Sequence, residues 1–106
     1  MRLILFLIVA VAISACVYPD NAFDAAMPQH DAWVTCMVRK AIPLVKSKID
    51  PAAVADVAVA SCIAEESAFS GALATVLGSG VATTVAATER KRLWGVVAAM
   101  VADGRS

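Results

Sequence analysis

Two cysteines stand at equal distances from a turn signal, and that spacing constrains the fold more than any other feature. Cys36 lies 13 residues before Ile49, and Cys62 lies 13 after it. Ile49-Asp50-Pro51 reads as a turn followed by a helix start. Asp50 can accept hydrogen bonds from the free backbone N–H groups of a first helical turn, and Pro51 suits the first helical position, where its missing N–H costs nothing. If the chain doubles back there as two antiparallel helices, the two sulfurs come level and can bond. The closed loop of about 25 residues restricts the unfolded chain by roughly 3.5 kcal/mol in the chain-entropy account. A redox-active pair is the competing reading, but the chain has no Cys-x-x-Cys and no sequence sign of a lowered thiol pKa. The expected architecture is therefore all-α: a disulfide-closed antiparallel helical hairpin plus a third helix, preceded by an N-terminal signal helix.

The first fifteen residues differ from the rest. Met1-Arg2 is followed by an unbroken apolar run of 11 residues, Leu3 to Ile13. A helix needs about 20 apolar residues to span a bilayer core, so the run fits the apolar segment of a secretory signal peptide. Ile13-Ser14-Ala15-Cys16 then resembles the lipobox of bacterial lipoprotein precursors: aliphatic, small, small, Cys. That resemblance implies cleavage before Cys16 and acylation of its thiol, with palmitate among the attached chains. Several acyl chains, at about 0.8 kcal/mol per buried CH₂, hold a protein on a membrane where one does not. Val17, which is not Asp, implies by the same resemblance delivery to the outer membrane. Ordinary cleavage after Ala15, releasing a soluble periplasmic protein, is the alternative. Three cysteines are an awkward number for an exported chain. Lipid on Cys16 leaves an even pair, which an oxidising compartment would join.

The expected organisation is a signal peptide over 1–15, a tether over 16–28 and a small helical domain over 29–104. The tether assignment rests on Pro19, Asp20, Asn21, Asp24 and Pro28 and on the lack of sustained periodicity, although 22–27 could form a turn of helix. The first domain helix is expected to start between Pro28 and Asp31. At 100° per residue, Trp33, Met37, Ala41 and Leu44 share its apolar face. Cys36 sits at the edge of that face, and Pro43 should kink or end the helix. The second helix is expected to run unbroken from Ala52 to Leu77, with Val54, Ala58, Cys62, Phe69, Ala72, Leu73 and Val76 on one face. Gly78-Ser79-Gly80 separates it from a third, about Val81 to Ala102, whose face is Ala82, Ala86, Leu93, Val97 and Met100. Arg90 intrudes on that face. Glu89-Arg90-Lys91-Arg92 stops the third helix from being a membrane span.

Charge excludes one class of function. Nine basic residues balance nine acidic ones, without the basic excess of a nucleic-acid binder. With the sulfurs level, counting outward along the hairpin sets His30 near Glu66 to Phe69, and Trp33 opposite Glu65. His30, Glu65 and Glu66 could then form an acid–base or metal cluster. One histidine and two carboxylates make a poor metal set without a third placed ligand, so no metal and no cofactor are expected. The alternative puts the Glu65 stem against Trp33, with its head in water or on a lysine. Ser61, Ser67 and Ser70 lie in no nucleophile motif, so no catalytic residues are expected. Arg90, Lys91 and Arg92 beside Trp94 could form a surface-binding patch, since basic groups next to Trp favour anionic interfaces. The alternative is a solvated helix face with Trp94 packed on the hairpin.

Trp33-Val34-Thr35-Cys36 and Ala58-Val59-Ala60-Ser61-Cys62, with Glu65-Glu66, resemble small uncharacterised bacterial exported proteins. Those combine Trp-x-x-Cys on one helix with an Ala-rich helix bearing the second cysteine. A fainter similarity is to periplasmic acid-stress chaperones of the Hde type, which are small, helical and closed by one disulfide beside a Trp. The first resemblance implies no activity, and the second implies a chaperone. The expected function is a non-enzymatic envelope lipoprotein, anchored through Cys16 and serving as a binding or structural module for another envelope protein. The alternatives are a soluble periplasmic chaperone or inhibitor and, further off, an enzyme using His30 and Glu65.

Overall fold

The computed structural model describes residues 20–105; the leader and Cys16 lie outside the described residues. Within that range the chain is helical, with no strand. We label the α-helices α1 (Asp20–Ala41), α2 (Pro51–Ser61), α3 (Ile63–Leu77) and α4 (Ser79–Gly104), with a 3₁₀ turn over Ile42–Leu44 after α1. The α2–α3 pair returns along α1, and α4 lies along the same pair. The expected hairpin and third helix are present, and Cys36 is bonded to Cys62 with their α-carbons 6.0 Å apart.

Local chemistry accounts for the turns. α1 gives way to the 3₁₀ turn at Pro43, whose ring cannot continue an α-helical hydrogen-bond ladder. Asp50 Oδ1 accepts from the Ala52 N–H at 2.8 Å, and Pro51 takes the first helical position. Arg105 reaches back to the carboxyl end of α1. Its Nε donates to the Val45 carbonyl at 2.6 Å and its Nη2 to the Leu44 carbonyl at 3.1 Å. A cation at that end also suits the helix dipole. Gly104 lies so close that a β-carbon there would come within 2.6 Å of Val45 Cγ1.

Gly78 alone joins α3 to α4, at φ 84° and ψ 158°, a region essentially confined to glycine. A β-carbon on it would meet nothing within 4 Å. Gly78→Ala should therefore cost about 1–3 kcal/mol through the backbone alone. A urea titration should show the midpoint falling with an unchanged slope.

The core is one cluster. Trp33, Met37 and Ala41 from α1 meet Val54, Ala55 and Ala58 from α2, Cys62, and Phe69 and Leu73 from α3. Ala82, Ala86, Leu93, Val97 and Val101 of α4 complete it. This is close to the apolar faces read from periodicity. Val76 is exposed, Leu44, Ala72 and Met100 are only partly buried, and Ala55 and Val101 join the buried set.

Three expectations about element boundaries are corrected. α1 begins at Asp20, so most of the segment read as a tether is helical and Pro28 lies inside the helix. Ala26 upstream of it is fully buried, and Phe23 shares a cleft with Thr84, Val85 and Thr88 of α4. That packing offsets the roughly 3 kcal/mol an interior proline costs. The second helix is not continuous: α2 and α3 meet at Cys62 with a 62° bend. Cys62 has φ −118° and ψ 30°, and its N–H bonds back to the Val59 carbonyl, three residues earlier. The bend lets one Ala-rich segment follow both α1 and α4. α4 starts at Ser79, directly after Gly78, and takes Gly80 into its first turn. Among the described residues no single helix is long and apolar enough to cross a membrane.

Candidate functional site

The α4 stripe Ala82, Ala86, Leu93, Val97 is polar at its middle, where Glu89 and Arg90 fall. The structure turns these two residues towards different partners. Glu89 faces α1, and His30 Nε2 lies 3.1 Å from its Oε2. Glu89 also accepts from Arg92 Nε through its other oxygen. Arg90 faces α3 and grips Glu66 with two parallel bonds, Nε to Oε1 at 2.8 Å and Nη2 to Oε2 at 2.6 Å. Such forked pairs are the strong ones among exposed ion pairs.

His30 also joins an aromatic cluster. Its ring centroid is 5.3 Å from that of Phe69 and 6.4 Å from that of Trp33, both edge-on. Trp33 and Phe69 lie 5.5 Å apart. The outward count along the hairpin therefore placed His30 correctly beside Phe69. It did not find the hydrogen-bond partner, because Glu89 comes from a helix outside the hairpin.

Burial pushes the Glu89 carboxyl up, but the hydrogen bond and charge of Arg92, then those of His30, outweigh it and hold it below its ordinary value of 4.5. An ionised carboxylate only accepts, so His30 Nε2 carries the proton it donates. A depressed folded-state pKa contributes stability above the unfolded value and loses it as pH falls through the folded value. The His30 and Glu89 side chains keep 17% and 20% of their surface in water. Glu89→Gln should therefore cost about 1 kcal/mol at neutral pH, below the usual range for charged hydrogen bonds. Urea midpoints taken from pH 7 to pH 3 should show parent and variant converging below about pH 4.5.

The other two members of the expected cluster go elsewhere. Glu66 is held by Arg90. Glu65 is half-buried beside the disulfide, with a carboxylate oxygen and the Cys36 and Cys62 sulfurs all within 4.8 Å of one another. Among the described residues no lysine pairs with Glu65. Among the described residues no Ser or Thr hydroxyl hydrogen-bonds to His30, so Ser61, Ser67 and Ser70 do not complete a triad with it.

The expected basic patch is mostly paired. Arg90 and Arg92 hold Glu66 and Glu89, and Trp94 Nε1 donates to Asp56 Oδ1 at 2.7 Å. Lys91 is exposed and, of the three basic residues, the one with no ion-pair partner. Trp94 rests on α2, and with Asp56, Val59, Ala60, Arg90 and Lys91 it lines a mainly apolar cleft of about 350 Å³. Glu89 and Asp56 are the participants that sequence reasoning missed. A signal for Glu89 existed: it shares the stripe position at which Arg90 was noticed.

Fold and site together define a small, disulfide-bonded, all-α domain. No family model matches the chain, and neither a curated protein nor a solved structure matches it.

Proposed function

We propose that this chain is a non-enzymatic envelope lipoprotein, anchored by acyl groups on Cys16 and serving as a binding or structural module for another envelope component. One observation carries the reading. The Cys36–Cys62 bond uses two of the three sulfurs and leaves Cys16, in its lipobox-like context, as the odd one. A structural disulfide needs an oxidising compartment, and a leader of this kind supplies the route to one. The cleft beside Trp94, with Lys91 at its rim, is the surface this reading assigns to the partner.

A soluble periplasmic chaperone or inhibitor, cleaved after Ala15, is the second reading. It draws support from large apolar side chains left in water, among them Ile63 at 60%, Ile42 at 58% and Val96 at 50% exposure. An enzyme using His30 and Glu65 draws less support, because His30 is bonded to Glu89 and Glu65 lies beside the disulfide.

Labelled palmitate separates the first two readings. The lipoprotein incorporates label, loses it in Cys16→Ser, and accumulates as precursor under globomycin. Normal processing of an unlabelled chain in the presence of globomycin would overturn the lipoprotein reading in favour of the soluble one.

A further inference from the structure

The joint between α2 and α3 brings together more chemistry than a staple requires. Cys62 occupies the position just before α3, where the helix N-terminus favours a thiolate. Glu65 lies one turn on, half-buried, with its carboxylate oxygen and both sulfurs mutually within 4.8 Å. In a tetrahedral zinc site with Zn–S near 2.3 Å, two sulfurs sit roughly 3.8 Å apart. The 6.0 Å between the α-carbons allows two cysteine side chains to converge on one ion. Cys36 and Glu65 also line a cleft of about 510 Å³ with Asp31, Ala32, Thr35, Arg39 and Lys40, which gives an ion a way in.

We propose that reduction of the Cys36–Cys62 bond converts this joint into a site for a thiophilic divalent cation of the zinc class, held by the Cys36 and Cys62 thiolates and the Glu65 carboxylate. The donor set selects the metal: two sulfurs favour zinc over magnesium or calcium, which take oxygen ligands. Three protein ligands leave a fourth position for water. Three anionic donors on a divalent ion leave one negative charge, and with Asp31 also in the cleft, Arg39 and Lys40 bring the sum to zero.

The steps balance. A dithiol reductant gives two electrons and two protons to the disulfide, becoming a disulfide itself and leaving two thiols. The cation then binds both sulfurs and releases both protons. A disulfide oxidant reverses the sequence: it takes two electrons from the thiolates and two protons from solvent, becomes a dithiol, and the Cys36–Cys62 bond reforms as the ion leaves. Cys16 supplies no ligand, so a metal titration of the reduced chain reads this site whether or not Cys16 is acylated.

The test uses the full-length chain with Cys16→Ser, purified in mild detergent, so that the two thiols in question are the only ones. A phosphine reduces the bond, becoming its oxide with oxygen from water, and does not compete as a dithiol would. After its removal the chain is titrated with Co²⁺. The expected result is a thiolate-to-cobalt charge-transfer band that saturates at one ion per chain, is absent from the oxidised chain and is bleached by Zn²⁺. Glu65→Gln keeps the shape of the side chain and should weaken cobalt binding by about tenfold or more, since even outer-shell partners are worth that much. No band in the reduced chain, or an equal affinity in Glu65→Gln, overturns the site. Far-UV circular dichroism guards against a reduced chain that unfolds. If helix is lost on reduction, cobalt must restore it, because binding and folding are then coupled. Helix that stays lost with cobalt present overturns the site equally.

Discussion

Removing the Cys36–Cys62 bond is expected to lower the unfolding free energy by about 3.5 kcal/mol. At about 4–8 °C per kcal/mol for a domain this small, melting should fall by roughly 14–28 °C. The change is made as the double substitution Cys36→Ala/Cys62→Ala, and a urea titration alongside the parent measures it. The two cysteines should not contribute equally. Cys62 is fully buried at the 62° bend, whereas Cys36 is half-buried on α1. Each single alanine breaks the bond, but Cys62→Ala also leaves a void in the buried core and should be the worse of the two. A loss below about 1 kcal/mol in the double variant would mean that packing alone holds the hairpin closed, against the usual cost of losing a native disulfide.

Trp33 is the largest fully buried side chain, and Trp33→Ala should cost about 3–5 kcal/mol. Trp33→Phe separates two contributions. The indole Nε1 is buried with no hydrogen-bond partner. An unpaired N–H of that kind costs roughly 1–3 kcal/mol against protein mutational data. Phenylalanine deletes the unpaired donor together with part of the ring. The two effects oppose each other, and the net loss should stay under about 1.5 kcal/mol. A Trp33→Phe loss well above about 1.5 kcal/mol, read from the same urea titration, would show that the lost ring volume outweighs relief of the unpaired donor.

The features legible in the sequence are those whose causes are local. Pro43 ends α1 because a proline ring blocks its own helix. Asp50-Pro51 starts α2 because two adjacent residues supply the cap and the first φ angle. Apolar faces emerge from a period of 3.6, so Trp33, Met37, Ala58, Leu93 and Val97 could be placed before any neighbour was known. The bend at Cys62 has no such local cause. No glycine or proline marks it, and an Ala-rich segment is content to run straight. One residue takes a non-helical turn because α1 and α4 must both be covered. Pro28 misled for the opposite reason. A strong local rule placed it at a helix start, and burial of Ala26 upstream overrode the rule. The candidate site was half legible. His30 beside Phe69 follows from the hairpin register. Its bond to Glu89 needs the register of α4 against α1, which comes from packing between helices far apart in sequence and not from any spacing in the chain.

The early start of α1 bears on where a lipidated form could act. With acyl groups on Cys16, the helix begins four positions later at Asp20. At about 3.5 Å per residue the leash is no longer than roughly 14 Å. In such a form the amino end of α1 would stay near the headgroups, and the 26 residues of α4, about 39 Å at 1.5 Å per residue, would set how far the body reaches from them.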